Sequence, residues 1–184
     1  SIVLAHKLGL PKDCLTFDFN QGCSGFVQAL CVVENLLSKY DSILLITVDR
    51  YRSKLKNTDR STNAVFSDGA SATLISKESN YGIIYEDHYT DGGKRDLLFQ
   101  SNDQNQNNGK LFMDGAKIWV FTRQMVVPQI IKAIDYCEDN DFKISGIYLH
   151  QASKVVVEGM KSLLPVNKKI IFDNYYKFGN TVSS

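Results

Sequence analysis

Three residues in this sequence are of types that carry covalent and hydrogen-bonding catalysis: Cys23, His150 and Asn180. Cys23 lies in F-D-F-N-Q-G-C-S-G-F-V-Q-A-L, a polar, glycine-flanked turn ahead of an apolar run with helical spacing. Backbone N–H groups at a helix N-terminus favour the thiolate, which is the nucleophilic form of cysteine. Free cysteines are often inert core residues, and Cys31 and Cys137 read that way. Gly22 and Gly25 set Cys23 apart, because they permit a tight turn and a close backbone approach. His150 closes the apolar run G-I-Y-L-H and opens H-Q-A-S, while Asn180 sits in F-G-N-T. Taken singly, the histidine could cap a strand or helix, and the asparagine could be a turn residue beside a glycine. Asp68 and Gly69, in S-D-G-A, could equally form only a turn between sheet segments.

The elements that must position these residues follow from periodicity. Residues 2–9 read as a helix end closed by Gly9, and Leu15–Phe19 as a strand. From Ser24, Phe26, Leu30, Val33 and Leu37 recur at helical spacing. Val27, Cys31 and Val32 make that helix apolar nearly all round, which predicts burial. Ile43–Val48 reads as a core strand, so the β-α-β order predicts a parallel pair with a right-handed crossover. Residues 64–75 and 81–85 read as strands around a glycine turn, and 101–109 as an exposed, mobile polar loop. A helical pattern over 114–139 is interrupted by Pro128, which predicts either a kink or a second helix with proline at its start. A strand over 144–149, a helix over 152–163 and a short strand over 169–172 complete the second unit. Each unit thus offers a polar residue at a strand end, where open α/β sheets place their chemistry.

Composition narrows the classes further. The 184 residues are 43% hydrophobic, enough for one sizeable core or two small lobes. A formal net charge of +1 gives no bulk signal for nucleic acid. The histidines, His6, His88 and His150, show no short metal-ligand spacing, and the four cysteines form no C-x-x-C pair or dense framework. A reduced, cytoplasmic chain with no metal and no membrane span is therefore expected. The chain starts without methionine inside an apolar pattern and stops just after F-G-N-T, so both ends read as cuts through a larger protein.

Taken together, F-N-Q-G-C-S-G-F-V-Q-A-L, V-F-S-D-G-A-S-A-T-L, H-Q-A-S and G-N-T, in that order, resemble the β-ketoacyl-(acyl-carrier-protein) synthase III branch of the thiolase-like condensing enzymes. The spacings of 127 residues from Cys23 to His150 and 30 from His150 to Asn180 look like that family's, as does M-D-G-A-K-I-W-V-F at 113–121. The resemblance implies an α/β thiolase-like fold whose complete subunit stacks five layers, α-β-α-β-α. Residues 1–110 would be the later part of its first half, and 111–184 the early part of its second. It further implies that Cys23 takes an acyl group from a thioester, with its backbone N–H contributing to an oxyanion hole. His150 and Asn180 would donate to the enolate formed when a malonyl thioester loses CO₂, each such donor worth about 3–4 kcal/mol. Asp68 and Gly69 would hold the architecture. No tightly bound cofactor is implied; acyl-CoA and a malonyl thioester would be substrates, an acyl carrier protein a possible partner. A homodimer would form across the strand Leu15–Phe19, whose apolar edge needs cover.

The sequence departs from the family pattern after His150. The family reads H-Q-A-N with an arginine five residues after the histidine; here Ser153 and Val155 occupy those places. Lys154 and Lys161 offer positive charge nearby, with Lys154 expected on another side of the helix, and lysine lacks arginine's forked geometry. Carrier-protein recognition therefore stays open between a specialised carrier and CoA alone. A papain-like Cys-His-Asn protease is disfavoured, because the cysteine stands in a β-α-β pattern and the other two residues follow strands of a second unit. Acyl transfer to oxygen or nitrogen, with His150 acting as a base, is the alternative activity. A non-catalytic thiolase-like partner subunit is the alternative class.

Overall fold

The structure is a computed structural model and describes residues 1–78, 81–100 and 109–184. The polar loop expected over 101–109 therefore lies outside the described residues, apart from Gly109. The first unit opens with helix α1 (Ile2–Lys7), after which Gly9 turns the chain at φ 67°. Helix α2 (Gly25–Leu36) follows the cysteine turn, with Ser24 at its N-cap. Strand β1 (Ser42–Asp49) leads through a short helix α3 (Arg60–Asn63) to strand β2 (Gly69–Ser76). The two strands form an antiparallel ladder along their whole length, from Ser42 opposite Ser76 to Asp49 opposite Gly69. Inside it, Thr47 and Ser71 face each other and share a 2.7 Å hydroxyl hydrogen bond, which satisfies two polar groups on a half-buried face.

Three expectations fail here for one reason. Leu15–Phe19 runs without assigned pairing, it therefore forms no parallel pair with β1 across α2, and residues 81–85 are not a strand. Strand propensity is a preference for a pleated, half-buried surface, and the ladder partner decides whether it is realised. Leu15, Phe17 and Phe19 have none here and stay exposed. Helix α2 is likewise buried on one face only, through Gly25, Ala29 and Val33, while Val27 and Val32 face solvent.

A small antiparallel pair, β3 (Leu98–Gln100) with β4 (Leu111–Met113), spans position 110. Helix α4 (Gly115–Phe121) is capped by Asp114, whose carboxylate accepts from the Lys117 N–H at 3.1 Å. The helix does not break before Pro128. A π-helical turn at Thr122–Val126, in which Val127 N–H reaches back to the Thr122 carbonyl, passes directly into α5 (Val127–Asp139). Pro128 sits in the first turn of α5, directly after the widened π-helical turn.

Strand β5 (Ile147–Tyr148), helix α6 (Lys154–Leu163), strand β6 (Ile171–Phe172) and helix α7 (Tyr175–Phe178) complete the chain. Strands β5 and β6 pair in parallel around α6. Both are shorter than their apolar runs suggest. The principal core joins Val127 and Ile134 of α5 with Val156 and Met160 of α6, Leu164 and Ile171. Gly159 lets α6 meet α4: a Cβ there would lie 2.7 Å from Trp119 Cζ2, well inside van der Waals contact. A second core of Leu55, Phe66, Leu111 and Val182 draws residues from both sides of position 110, and Cys23 packs against it. No helix among the described residues is long and apolar enough to cross a membrane.

Candidate active site

The turn that carries Cys23 is closed by Gly25 N–H donating to the Gly22 carbonyl at 2.7 Å. A Cβ on Gly25 would lie 3.3 Å from the Cβ of Ser183, so the start of α2 sits tightly against the last residues of the chain. The thiol thus stands just ahead of a helix N-terminus, as the sequence implies, but its electrostatics are the reverse of the expected ones. Burial, and then the negative charge of Asp49, push its pKa up to about 11, and the opposing pull of the Cys23 backbone N–H is too weak to offset them. Near neutral pH the resting group is the thiol.

Asp49, at the end of β1, is a site residue that motif reading overlooks. One of its oxygens accepts from the Ser183 N–H at 3.0 Å and from the Ser183 hydroxyl. Tyr51, whose ring stacks on Phe66 at a 5.5 Å centroid distance, completes the group. Burial, the thiolate form of Cys23 and Asp49 together raise the Tyr51 pKa. The available signal was the one that marks His150, a polar residue ending an apolar strand: I-L-L-I-T-V-D.

Asn180 is almost wholly buried, at 3% exposure. Its backbone bridges to the first unit, donating to the Val65 carbonyl at 2.8 Å and accepting from the Ser67 N–H at 3.0 Å. Gly179 allows this approach: it holds φ 69°, and a Cβ there would lie 2.8 Å from the Val65 carbonyl oxygen. The Asn180 side chain accepts from Val182 N–H at 2.9 Å and donates to the Ala152 carbonyl at 3.2 Å. Val182 itself adopts φ 66°, a conformation rare for a β-branched residue, with its side chain in the second core.

His150 stands two residues beyond the end of β5. Its carbonyl accepts from Ala152 N–H at 2.9 Å, which fixes the turn that Asn180 also grips. Gln151 is a second overlooked residue. Its amide donates to the Leu149 carbonyl at 2.8 Å, and its oxygen accepts from Asn174 and Tyr175 N–H at 2.9 and 3.1 Å. Solvent reaches His150, yet enough protein surrounds the ring that desolvation pushes its pKa down to about 4. The imidazole is therefore neutral near pH 7, with one N–H to donate and one nitrogen lone pair.

The three residues are thus linked step by step. Cys23 packs against the core that holds Val182, Val182 is bonded to Asn180, and Asn180 is bonded to the turn of His150. Asn180 also lines a depression of about 240 Å³ with Gln151, Lys154, Val155 and Tyr175. Another depression, around Leu55, Thr58 and Lys110, contains none of the three. Asp68 accepts from Arg52 N–H at 2.8 Å, and a Cβ on Gly69 would lie 2.8 Å from the Cβ of Thr181, so both support the chain around the site. Ser153 caps α6 by accepting from Val156 N–H at 3.3 Å, work that serine and asparagine do equally well. Contrary to expectation, Lys154 faces the depression beside Asn180. Lys161 does not offer free charge, being paired with Asp173 and with Glu158.

Comparison with known proteins finds similarity to one group of enzymes. Residues 17–92 match the family model described as 3-oxoacyl-[acyl-carrier-protein (ACP)] synthase III. The chain is similar to β-ketoacyl-[acyl-carrier-protein] synthase III of Streptococcus sanguinis SK36, with 29% identity over 92% of this chain and 56% of that protein. It is similar to the protein of that name from Rickettsia akari, with 30% identity over 90% of this chain and 54% of the other. The crystal structure of 3-oxoacyl-(acyl carrier protein) synthase III from Pseudomonas aeruginosa PAO1 superposes with a TM-score of 0.82, at 26% identity, covering 98% of this chain and 59% of that one. The chain spans a little over half the length of the curated relatives it matches.

Proposed function

The chain is a synthase III-like segment of the α/β thiolase-like fold, and on that premise we propose that the protein carrying it is a decarboxylating condensing enzyme. Cys23 Sγ attacks an acyl thioester such as acyl-CoA; the acyl C–S bond breaks, the CoA thiol departs and an acyl-Cys23 thioester remains. A malonyl thioester then loses CO₂, and its negative charge gathers on the thioester oxygen between the N–H groups of His150 and Asn180. The enolate carbon attacks the acyl-Cys23 carbonyl and forms the new C–C bond; the acyl C–S bond breaks, the 3-ketoacyl thioester departs, and the Cys23 thiolate takes up a proton from solvent.

The linked path from Cys23 through Val182 and Asn180 to the His150 turn carries this reading. Two further features support the donor roles. A neutral imidazole serves as an N–H donor without carrying charge of its own. The Asn180 amide has two hydrogens and commits one to Ala152, which leaves the other for an oxyanion. In this reading residues 1–110 bring the nucleophile and 111–184 the two donors. The exposed edge at Leu15, Phe17 and Phe19 is covered by a second subunit in a homodimer. Lys154, which lines the depression beside Asn180, offers a positive charge to CoA or a carrier protein. The four free cysteines fit a reducing, cytoplasmic setting, which a thiol nucleophile requires.

The test is intact mass of the full chain after exposure to acyl-CoAs of varied length, with Cys23→Ser as control, followed by CO₂ release from malonyl thioesters. An acyl-sized gain confined to the wild type, with primer-dependent CO₂ release, supports condensation. Acylation without CO₂ release would move the assignment to simple acyl transfer. A folded protein that takes no acyl group from any donor would overturn the covalent relay.

A further inference from the structure

The segment 81–91 is held between the two halves of the chain, and its side chains alternate between them. Tyr85 packs against Tyr136 of α5 with the rings tilted at 4.8 Å between centroids, Asp87 pairs with Lys132 of α5 at 3.1 Å, and Tyr89 meets Phe121 of α4 at 6.2 Å. The intervening Glu86 and His88 turn the other way, toward Cys31 on α2. This is the two-residue alternation of extended chain, which places every second side chain on one face. Ile83 anchors the near end by donating its N–H to Glu34 at 3.1 Å, and Glu34 lies three residues beyond Cys31 on the same helix.

The geometry points to a divalent transition-metal site, of the zinc class, formed by Cys31 Sγ, a Glu86 carboxylate oxygen and a His88 ring nitrogen. These three atoms lie within 4.8 Å of one another, with His88 Nε2 and Glu86 Oε2 3.8 Å apart. Thiolate, imidazole and carboxylate are the donors zinc takes at about 2.0–2.3 Å, with four ligands in a tetrahedron. Rotation of the two exposed side chains, Glu86 and His88, brings the set to that spacing. A water completes the fourth position. The thiol now rests on the Val27 carbonyl at 3.4 Å, and that contact is exchanged for the metal as the thiol proton is released to solvent. Glu34 and Glu86 add negative charge that favours a dication. Sequence spacing does not reveal the site, because the cysteine stands 55 residues before the first of its partners.

Bound metal fastens the 81–91 segment to the helix that follows Cys23, so its role is a staple rather than chemistry. The test titrates the chelator-treated full chain with Co²⁺ and then Zn²⁺. One equivalent of Co²⁺ is expected to give a thiolate-to-metal charge-transfer band that Zn²⁺ abolishes. The band should vanish in Cys31→Ser and persist in Cys14→Ser and Cys137→Ser. Loss of an outer-shell partner alone weakens metal sites roughly 10–100-fold, so His88→Gln should lower affinity by at least that factor. Zinc should also raise the melting temperature of the wild type and not of Cys31→Ser. A natively folded protein with no band, or a band that survives Cys31→Ser, would overturn the assignment.

Discussion

The side-chain amide of Asn180 donates to the carbonyl of Ala152 at 3.2 Å, tying the one buried asparagine of the F-G-N-T turn to the loop that carries His150. The same side chain accepts from Val182 N–H at 2.9 Å. Asn180→Ala strands both partners in a buried place and should cost about 1–3 kcal/mol, read as a lower denaturation midpoint. Asn180→Asp keeps the acceptor for Val182 but turns an oxygen toward the Ala152 carbonyl. Both variants should still accept an acyl group on Cys23 while losing malonyl decarboxylation by roughly 10²–10³-fold, the usual cost of one oxyanion donor. Equal loss of both steps would show that Asn180 acts only through the fold.

Alkylation of Cys23 should be slow at pH 7 and rise steeply with pH. Its thiol is held up to about 11 by burial and by Asp49, so the thiolate fraction grows roughly tenfold per pH unit below that value. Peptide-resolved iodoacetamide labelling measures this directly. Asp49→Asn removes the nearby charge and should shift the profile to lower pH, leaving the part due to burial.

Gly69→Ala should damage the site without touching any reacting group. A Cβ there would fall 2.8 Å from the Cβ of Thr181 and 3.0 Å from that of Ser184, so the chain after Asn180 must move. Overpacking of this kind costs about 1–3 kcal/mol. The expected readout is a lower melting temperature together with slower acylation of Cys23, since Ser183 packs against the start of α2 and binds Asp49.

His150 should make the protein acid-sensitive. Its folded pKa of about 4 lies below the ordinary 6.5, so the unfolded chain takes up the proton first as pH falls. The stabilising difference is fully present above about 6.5 and is lost as pH falls from there through about 4. Solvent contact screens part of the effect, so the slope should be shallow. His150→Gln should flatten the stability profile across that window in chemical denaturation. An unchanged slope would assign the acid sensitivity to other groups.

Much of this chain was legible as a sequence because local signals and global fold agree there. The apolar spacing after Ser24 specifies α2, and the run I-L-L-I-T-V specifies β1. The ordered motifs around Cys23, His150 and Asn180 implied the thiolase-like fold. Leu15–Phe19 and 81–85 were misread because strand-forming residues do not make a strand without a partner. Pro128 left kink and new helix equally open, and only the π turn at Thr122–Val126 resolves it.

What the sequence determined by itself is therefore the set of residue types, their order and the elements that bear them. The tertiary structure decided their environment. Burial, and then Asp49, which is tied to Ser183, raise a thiol that its helix position alone would lower. Gln151 fixes the His150 turn through two backbone N–H groups more than 20 residues away. Cys31 meets Glu86 and His88 only because an extended segment crosses α2. Electrostatic and hydrogen-bonding effects depend on distances through space and on solvent exclusion, and neither quantity is written in sequence separation.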